Sequence, residues 1–306
     1  MPITTMRELL EGGVHYGHHT SRWNPQMAPY IFQKRHSIHI VDLRETVRGL
    51  VRACRFLSTI CEQGAEVILV GTKKQARATV HEQATRGGIH YVAERWLGGM
   101  LTNFRVVTGR LNRLKELEEL EATGEIESRG KKLASVLRRQ LTKLRKNLGG
   151  VRDMTRLPDA MIVIDPRREK NALREANALD IPTIVFLDTD ASPDMADIVI
   201  PGNDDAMRSI QLICTKLMDA VLEGRAKAPL TAEAMEQAAA PPPAPAPAPA
   251  PATTPAEPVA APEPAPTPAP TPAAPPASAG EAGTEDAAPA AGPPTDKQPP
   301  QPEASA

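Results

Sequence analysis

Two sets of residues in this 306-residue chain have side chains capable of specific chemistry. The first is early: His15, then the stretch GHHTSRWNPQM at residues 17–27, which brings His18 and His19 beside Arg22 and Trp23. The second is late and acidic: Asp165, Asp188, Asp190, Asp204 and Asp205. Imidazole nitrogen and carboxylate oxygen together form a donor set that zinc or another divalent cation accepts. Neither set suffices alone, because the histidines are followed by a polar Thr-Ser loop rather than a rigid element. The expected metal site is therefore His18 or His19 with Asp188, Asp204 and Asp205, if the fold joins them. The competing use is structural: Asp204 and Asp205 in the first turn of the last helix, favoured by its dipole, with Asn203 as cap. Catalysis is not expected, since no Ser or Cys nucleophile stands beside a histidine with an orienting acid. No cofactor is required on this reading.

Recognition of a polyanion is the other chemistry on offer. Arg22 can pair with phosphate and Trp23 can stack on a base, and Lys34, Arg35 and His36 extend that basic surface. GTKKQAR at 71–77 sets Lys73, Lys74 and Arg77 at a strand-to-helix turn, where free backbone N–H groups favour anions. Neither GxGxxG nor GxxxxGK[ST] occurs there, so RNA phosphate or a plain solvated turn fits better than a nucleotide. ERWLGGMLTNFR at 94–105 adds Arg95 and Asn103 around paired glycines, readable as a hinge or a partner contact.

These residues need elements to place them. TMRELLEG at 5–12 reads as a short helix, after which the chain runs as polar loop to a first strand at IHIVDL, 38–43. From Glu45 to Gln63 apolar residues recur at the spacing of one helix face, with Gly64 as a stop. A buried strand (66–70), a helix and the strand IHYV follow; then AMIVID (160–165), a helix from 167, TIVFLD (183–188), DIVI (197–200) and a last helix over about 203–222. Strands that alternate with helices and lack polar alternation belong to a parallel sheet covered on both faces, a Rossmann-like doubly wound α/β fold. Between its halves, Leu111, Leu114, Leu117 and Leu120, then Leu133, Leu137, Leu141, Leu144 and Leu148, mark two charged helices. They predict an antiparallel coiled-coil hairpin over 105–148, inserted into an α/β domain of 1–104 and 149–228. Its second helix, KKLASVLRRQLTKLRK, presents Lys131, Lys132, Arg138, Arg139 and Lys143. Residues 229–306 are dominated by Ala and Pro and predict a disordered tail.

The formal charge of −1 conceals a division. Residues 1–230 hold 35 Lys and Arg against 28 Asp and Glu, whereas the remainder holds 1 against 9. A basic body with an acidic tail suits a polyanionic partner. The 3 cysteines form no CxxC, which argues against a disulfide framework or zinc ribbon and for a reducing, cytoplasmic compartment. No apolar run approaches bilayer length, so no membrane association is expected.

LLEGGVHYGHHTSRWNPQMAPYIF, IHIVDL, ERWLGGMLTNF, LPDAMIVIDPRREKNALREA, IPTIVFLDTD and IPGNDDAMRSI, in that order, resemble the bacterial small-subunit ribosomal protein number two (S-two) family over nearly all of residues 5–224. The resemblance implies a Rossmann-like domain with a protruding hairpin, no catalysis and no small-molecule substrate. It further implies a place on the small ribosomal subunit between head and body, binding to small-subunit ribosomal RNA, and help in docking the large mRNA-binding ribosomal protein number one. The chain departs from the family at DTD, 188–190, where Asp190 replaces the usual Asn. Two other readings remain in view: a nucleotide-using enzyme, which the bare fold would permit, and an RNA-binding regulator outside the ribosome.

Overall fold

A computed structural model describes residues 4–128 and 130–239. Its centre is a five-stranded parallel sheet of β4 (Val67–Val70), β5 (His90–Val92), β6 (Ala160–Ile164), β7 (Thr183–Leu187) and β8 (Ile198–Pro201), in the order β5-β4-β6-β7-β8. The strands are too short and too uniformly apolar to leave a face in water, and the two faces divide residue by residue. Val67, Leu69, Ala160, Ile162, Ile164, Ile184 and Phe186 pack into one core. Ile68, Val70, Met161, Val163, Val185 and Leu187 pack into the other. This is the period-2 alternation of a pleated strand with apolar residues on both sides.

α1 (Met6–Glu11), α2 (Leu43–Glu62), α3 (Arg77–Gly87) and α8 (Met207–Ala239) supply the first core. α2 presents Leu50, Ala53, Cys54, Leu57 and Cys61 on one buried face, and Asp42 caps it by accepting from the Arg44 N–H. It lies so close to the sheet that a Cβ on Gly49 would stand 2.2 Å from the carbonyl oxygen of Val199. α7 (Lys170–Ala178) and the loop after β5 cover the other face.

That second core runs on into the insertion. α4 (Phe104–Ala122), a single turn α5 (Glu125–Ser128) and α6 (Lys131–Leu148) form the hairpin, with Leu111, Leu114 and Leu117 facing Ala134, Leu137 and Leu141. Leu133, expected in the stripe, is 47% exposed; Ala134 takes its place, since counting back from Leu137 and Leu141 the inward register falls on 134. Ion pairs tie the hairpin root to the body: Glu94 meets Arg77 of α3 and Lys146 of α6, and Glu118 of α4 meets Arg145 and Arg152.

Three expectations require correction. The presumed N-terminal loop is a small antiparallel sheet of β1 (Tyr16–His19), β2 (Ile31–Arg35) and β3 (Ile38–Val41), ordered β1-β3-β2. IHIV is therefore its central strand and no part of the parallel sheet. β3 is the expected strand, but β1 and β2 escape a sequence reading because they are largely exposed and lack apolar–polar alternation. His36 and Ser37 close the β2–β3 turn with φ of 47° and 62°, the left-handed pair of a tight hairpin turn. Second, α7 starts at Lys170 and α8 at Met207, later than expected, because side-chain-closed turns precede them: Asp165 accepts from the Arg167 N–H, and Asn203 from those of Asp205 and Ala206. Third, α8 continues to Ala239, past the expected tail boundary at 229, through a stretch rich in the helix formers Ala, Glu, Met and Gln. The rest of the expected tail, 240–306, lies outside the described residues.

Candidate functional site

The strand order reverses between β4 and β6: chain connections from β4 lead outward to β5 on one side, and β6, β7 and β8 follow on the other. In doubly wound sheets ligands bind at the carboxyl ends of the strands at such a switch point. Here the strand ends bring Lys73, Asp165, Asp188 and Asp204 to one place, all of them buried. The Lys73 ammonium lies 2.6 Å from Asp204 Oδ1, 2.6 Å from Asp205 Oδ1 and 3.6 Å from Asp165 Oδ2. Asp165 reaches inward from a left-handed backbone (φ 60°).

The N-terminal sheet closes the pocket. The His18 backbone N–H donates to Thr189 Oγ1 at 2.9 Å, and the approach is so close that a Cβ on Gly17 would come within 2.7 Å of Thr189 Cγ2. This seats the His18 ring with Nδ1 2.8 Å from Asp188 Oδ2 and Nε2 3.2 Å from Asp205 Oδ2. Asp190 approaches from 3.9 Å and is itself paired with Arg167.

Proton affinities follow from this crowding. The Asp188 carboxylate, 2.8 Å from Nδ1, outweighs burial and, with the surrounding carboxylates, raises His18 to about 9. Burial, together with the negative charges of Asp165 and Asp188, raises Asp204 to about 7 despite its bond to Lys73. Burial acts against the Lys73 charge, but Asp204, Asp205 and Asp165 more than offset it and hold the ammonium protonated. Burial also opposes the charge of Asp205, whose bond to Lys73 nevertheless keeps it below the ordinary carboxylate range.

Of the expected metal donors, His18, Asp188 and Asp204 come together, with ligand atoms within 4.8 Å of one another. His19 does not join them. The strand turns it outward, where its Nδ1 meets Ser21 Oγ at 2.9 Å. Asp205 lies at the rim, its carboxylate shared between Lys73 and His18. Neither Asp204 nor Asp205 is in the first turn of α8, which begins at Met207.

The basic residues separate into inward and outward groups. Lys73 is no phosphate ligand on the surface: its side chain is 8% exposed and saturated by carboxylates. Its neighbour Lys74 is exposed. Arg77 is half committed, donating to the Thr72 carbonyl and to Glu94. Arg22, Lys34, Arg35, Arg95 and Asn103 are exposed, and Trp23 rests on His39 with ring centroids 5.0 Å apart. On α6, Lys131, Lys132, Arg138, Arg139 and Lys143 are all exposed, Arg138 in contact with Glu127. All but Lys132 line an open groove of about 800 Å³ along the hairpin.

Sequence reasoning missed Glu175. Its carboxylate accepts from Trp96 Nε1 at 3.1 Å and from the backbone N–H groups of Gly99, Leu101 and Thr102, so one side chain on α7 organises the loop leading to the hairpin. Nothing in ALREANAL distinguishes that glutamate from a solvated one. Arg145 and Arg152, at the hairpin root, were likewise unsignalled.

A family model described as ribosomal protein S2 matches residues 9–224. The chain is 50% identical over 240 residues to the small ribosomal subunit protein uS2 of Synechococcus elongatus, covering 78% of this chain and 96% of that one. It is 49% identical over 237 residues to the uS2 of Microcystis aeruginosa, covering 78% and 89%. For the uS2 of Rhodopirellula baltica the figures are 50% over 234 residues, covering 76% and 90%.

Proposed function

The chain belongs to the ribosomal protein S2 family, and from that premise we propose that it is a structural, non-enzymatic constituent of the small ribosomal subunit in the cytoplasm. It holds small-subunit ribosomal RNA and helps to seat the mRNA-binding ribosomal protein number one among its protein neighbours. The observation that carries the RNA contact is the row of exposed cations on α6, Lys131, Lys132, Arg138, Arg139 and Lys143, on the solvent side of the helix opposite its buried Ala134, Leu137 and Leu141. Lys34 and Arg35 on the N-terminal sheet and Arg22 in the bend after β1, with Lys74, Arg95 and Asn103 on the body, extend it. Such contacts grip the phosphate backbone and fix orientation. Supporting a protein neighbour, the same small sheet exposes Tyr16 and Phe32, the latter at 66%, and the loop after β1 exposes Trp23; large exposed aromatics are a hallmark of docking surfaces. The switch-point crevice, by contrast, is lined with carboxylates, which repel the phosphates of a nucleotide. Sedimentation of a cell extract through sucrose tests the reading: the protein travels with the small subunit and leaves it in high salt. Recovery only from the ribosome-free fraction would overturn it.

We further propose that the pocket beneath His18 takes a divalent cation, zinc being the best match to one imidazole and two carboxylates. His18, Asp188 and Asp204 are the donors. Occupation would fasten the N-terminal sheet to the ends of β7 and β8 beside the docking surface. Elemental analysis of purified protein is the check: zinc is present at about one equivalent and falls in His18→Ala and Asp204→Asn. Unchanged content in both variants, or none in the wild type, removes the metal.

A further inference from the structure

The pocket already contains a cation. Lys73 is the single basic side chain within bonding distance of Asp165, Asp204 and Asp205 at once among the described residues, and it is buried while the adjacent Lys74 is not. A buried ammonium is costly unless carboxylates surround it, and buried carboxylates are equally costly without a counter-charge. Each therefore requires the other. Asp204 is also one of the three donors whose ligand atoms converge with those of His18 and Asp188. A divalent ion held there would share a carboxylate with the ammonium and stand beside a like charge. Arg167 and Arg168 contact Asp190 and Asp165 from the rim, with side chains about half exposed, and so screen the pocket less than Lys73 does.

We propose that Lys73 is the resident counter-ion of this pocket: it holds the metal-free protein together at the switch point and sets how tightly a divalent cation can bind by competing with it for Asp204. The proposal rests on the metal reading above. In its terms Lys73 is a positioning residue. It ligates nothing, it fixes the acidic side chains in the absence of metal, and its charge weakens the site. The pocket thereby stays folded whether loaded or empty, and metal occupancy becomes responsive to supply rather than permanent.

Titration calorimetry with zinc chloride alone, on the purified full chain, decides the matter. Lys73→Met, which keeps most of the side chain's length and loses its charge, binds zinc roughly ten-fold or more tightly than wild type, the size expected from removing a like charge at short range. Lys73→Arg, which keeps the charge, gives no such gain. In chelator Lys73→Met melts below wild type, and saturating zinc closes the difference. Where Lys73→Met does not fold alone, its combination with Asp165→Asn removes one charge of each sign, leaves His18, Asp188 and Asp204 in place, and shows the same gain. Asparagine is also among the residues best tolerated at the left-handed backbone of 165. If wild type binds zinc and the neutral variants bind it no more tightly, Lys73 is not a competitor and the proposal falls while the metal reading stands. If only the neutral variants bind, Lys73 fully occupies the site: the proposal holds and the wild-type metal reading falls. If no variant binds zinc, both fall.

Discussion

A histidine clasped between Asp188 and Asp205 makes a titratable latch between the N-terminal sheet and the parallel one. His18 binds its proton more tightly when folded, at about 9, than at the ordinary 6.5 of the unfolded chain. Its contribution to stability is therefore complete below pH 6.5 and is lost as pH rises toward 9. Asp204, raised to about 7 from 3.8, acts in the same direction at lower pH, its contribution fading between those values. The melting temperature of chelator-treated protein is accordingly expected to fall between pH 6.5 and 9, by an amount reflecting on the order of 3 kcal/mol from His18. His18→Gln flattens that part of the profile; an unflattened profile would show that the latch lies elsewhere. At this scale the sequence conveyed which residue types were present but not where they point. His18 and His19 are indistinguishable in GHHTSR, and only strand alternation sends one inward. GTKK likewise contains two lysines, and the turn after β4 buries one among acids so that a residue suited to phosphate becomes an internal counter-ion.

Elements make two sharp demands. α2 crosses β8 at Gly49, where even a methyl group meets the Val199 carbonyl. Gly49→Ala should therefore force helix and sheet apart and lower stability by about 1–3 kcal/mol in chemical unfolding, as overpacking does; unchanged stability would mean that the helix settles freely to a new seat. The loop between β5 and α4 depends on Glu175. Removing its carboxylate leaves the N–H groups of Gly99 and Leu101 without their acceptor, a cost of about 1–3 kcal/mol. In Glu175→Ala, hydrogen exchange is expected to accelerate at 99–102 and little in β6. The parallel strands and the long helices could be read directly from apolar runs and helical spacing. Of the N-terminal sheet only its central strand, β3, could be read, since β1 and β2 are largely exposed and carry no period-2 signal. The starts of α7 and α8 were displaced because Asp165 and Asn203 bond to the backbone just after them and postpone the helix, an effect of side-chain direction that periodicity does not record.

At the scale of the whole molecule, a group of carboxylates among the described residues converges at the sheet's carboxyl edge, while exposed cations line the outer side of α6 and the small sheet. That the body is basic could be counted from the sequence; that Asp165, Asp188, Asp204 and Asp205 meet in one pocket could not. If the α6 cations neutralise RNA phosphates, the joint change of Lys131, Arg139 and Lys143 to Ala lowers the salt dependence of small-subunit association by up to about 0.7–0.9 in log–log slope for each phosphate left without its cation. The variant should weaken binding without altering the melting temperature, since none of the three touches the core. An unchanged slope would take the hairpin out of the interface. The ion pairs at the hairpin root have their own consequence at this scale. α6 has 18 residues, and at 1.5 Å per residue it is a lever of roughly 27 Å. A tilt of about 5° at the root would carry the far end about 2 Å, the difference between a hydrogen bond and a gap. Glu94 and Glu118, far from any RNA the tip would touch, thus govern the aim of its lysines and arginines, much as the mount of a telescope decides what the lens can see.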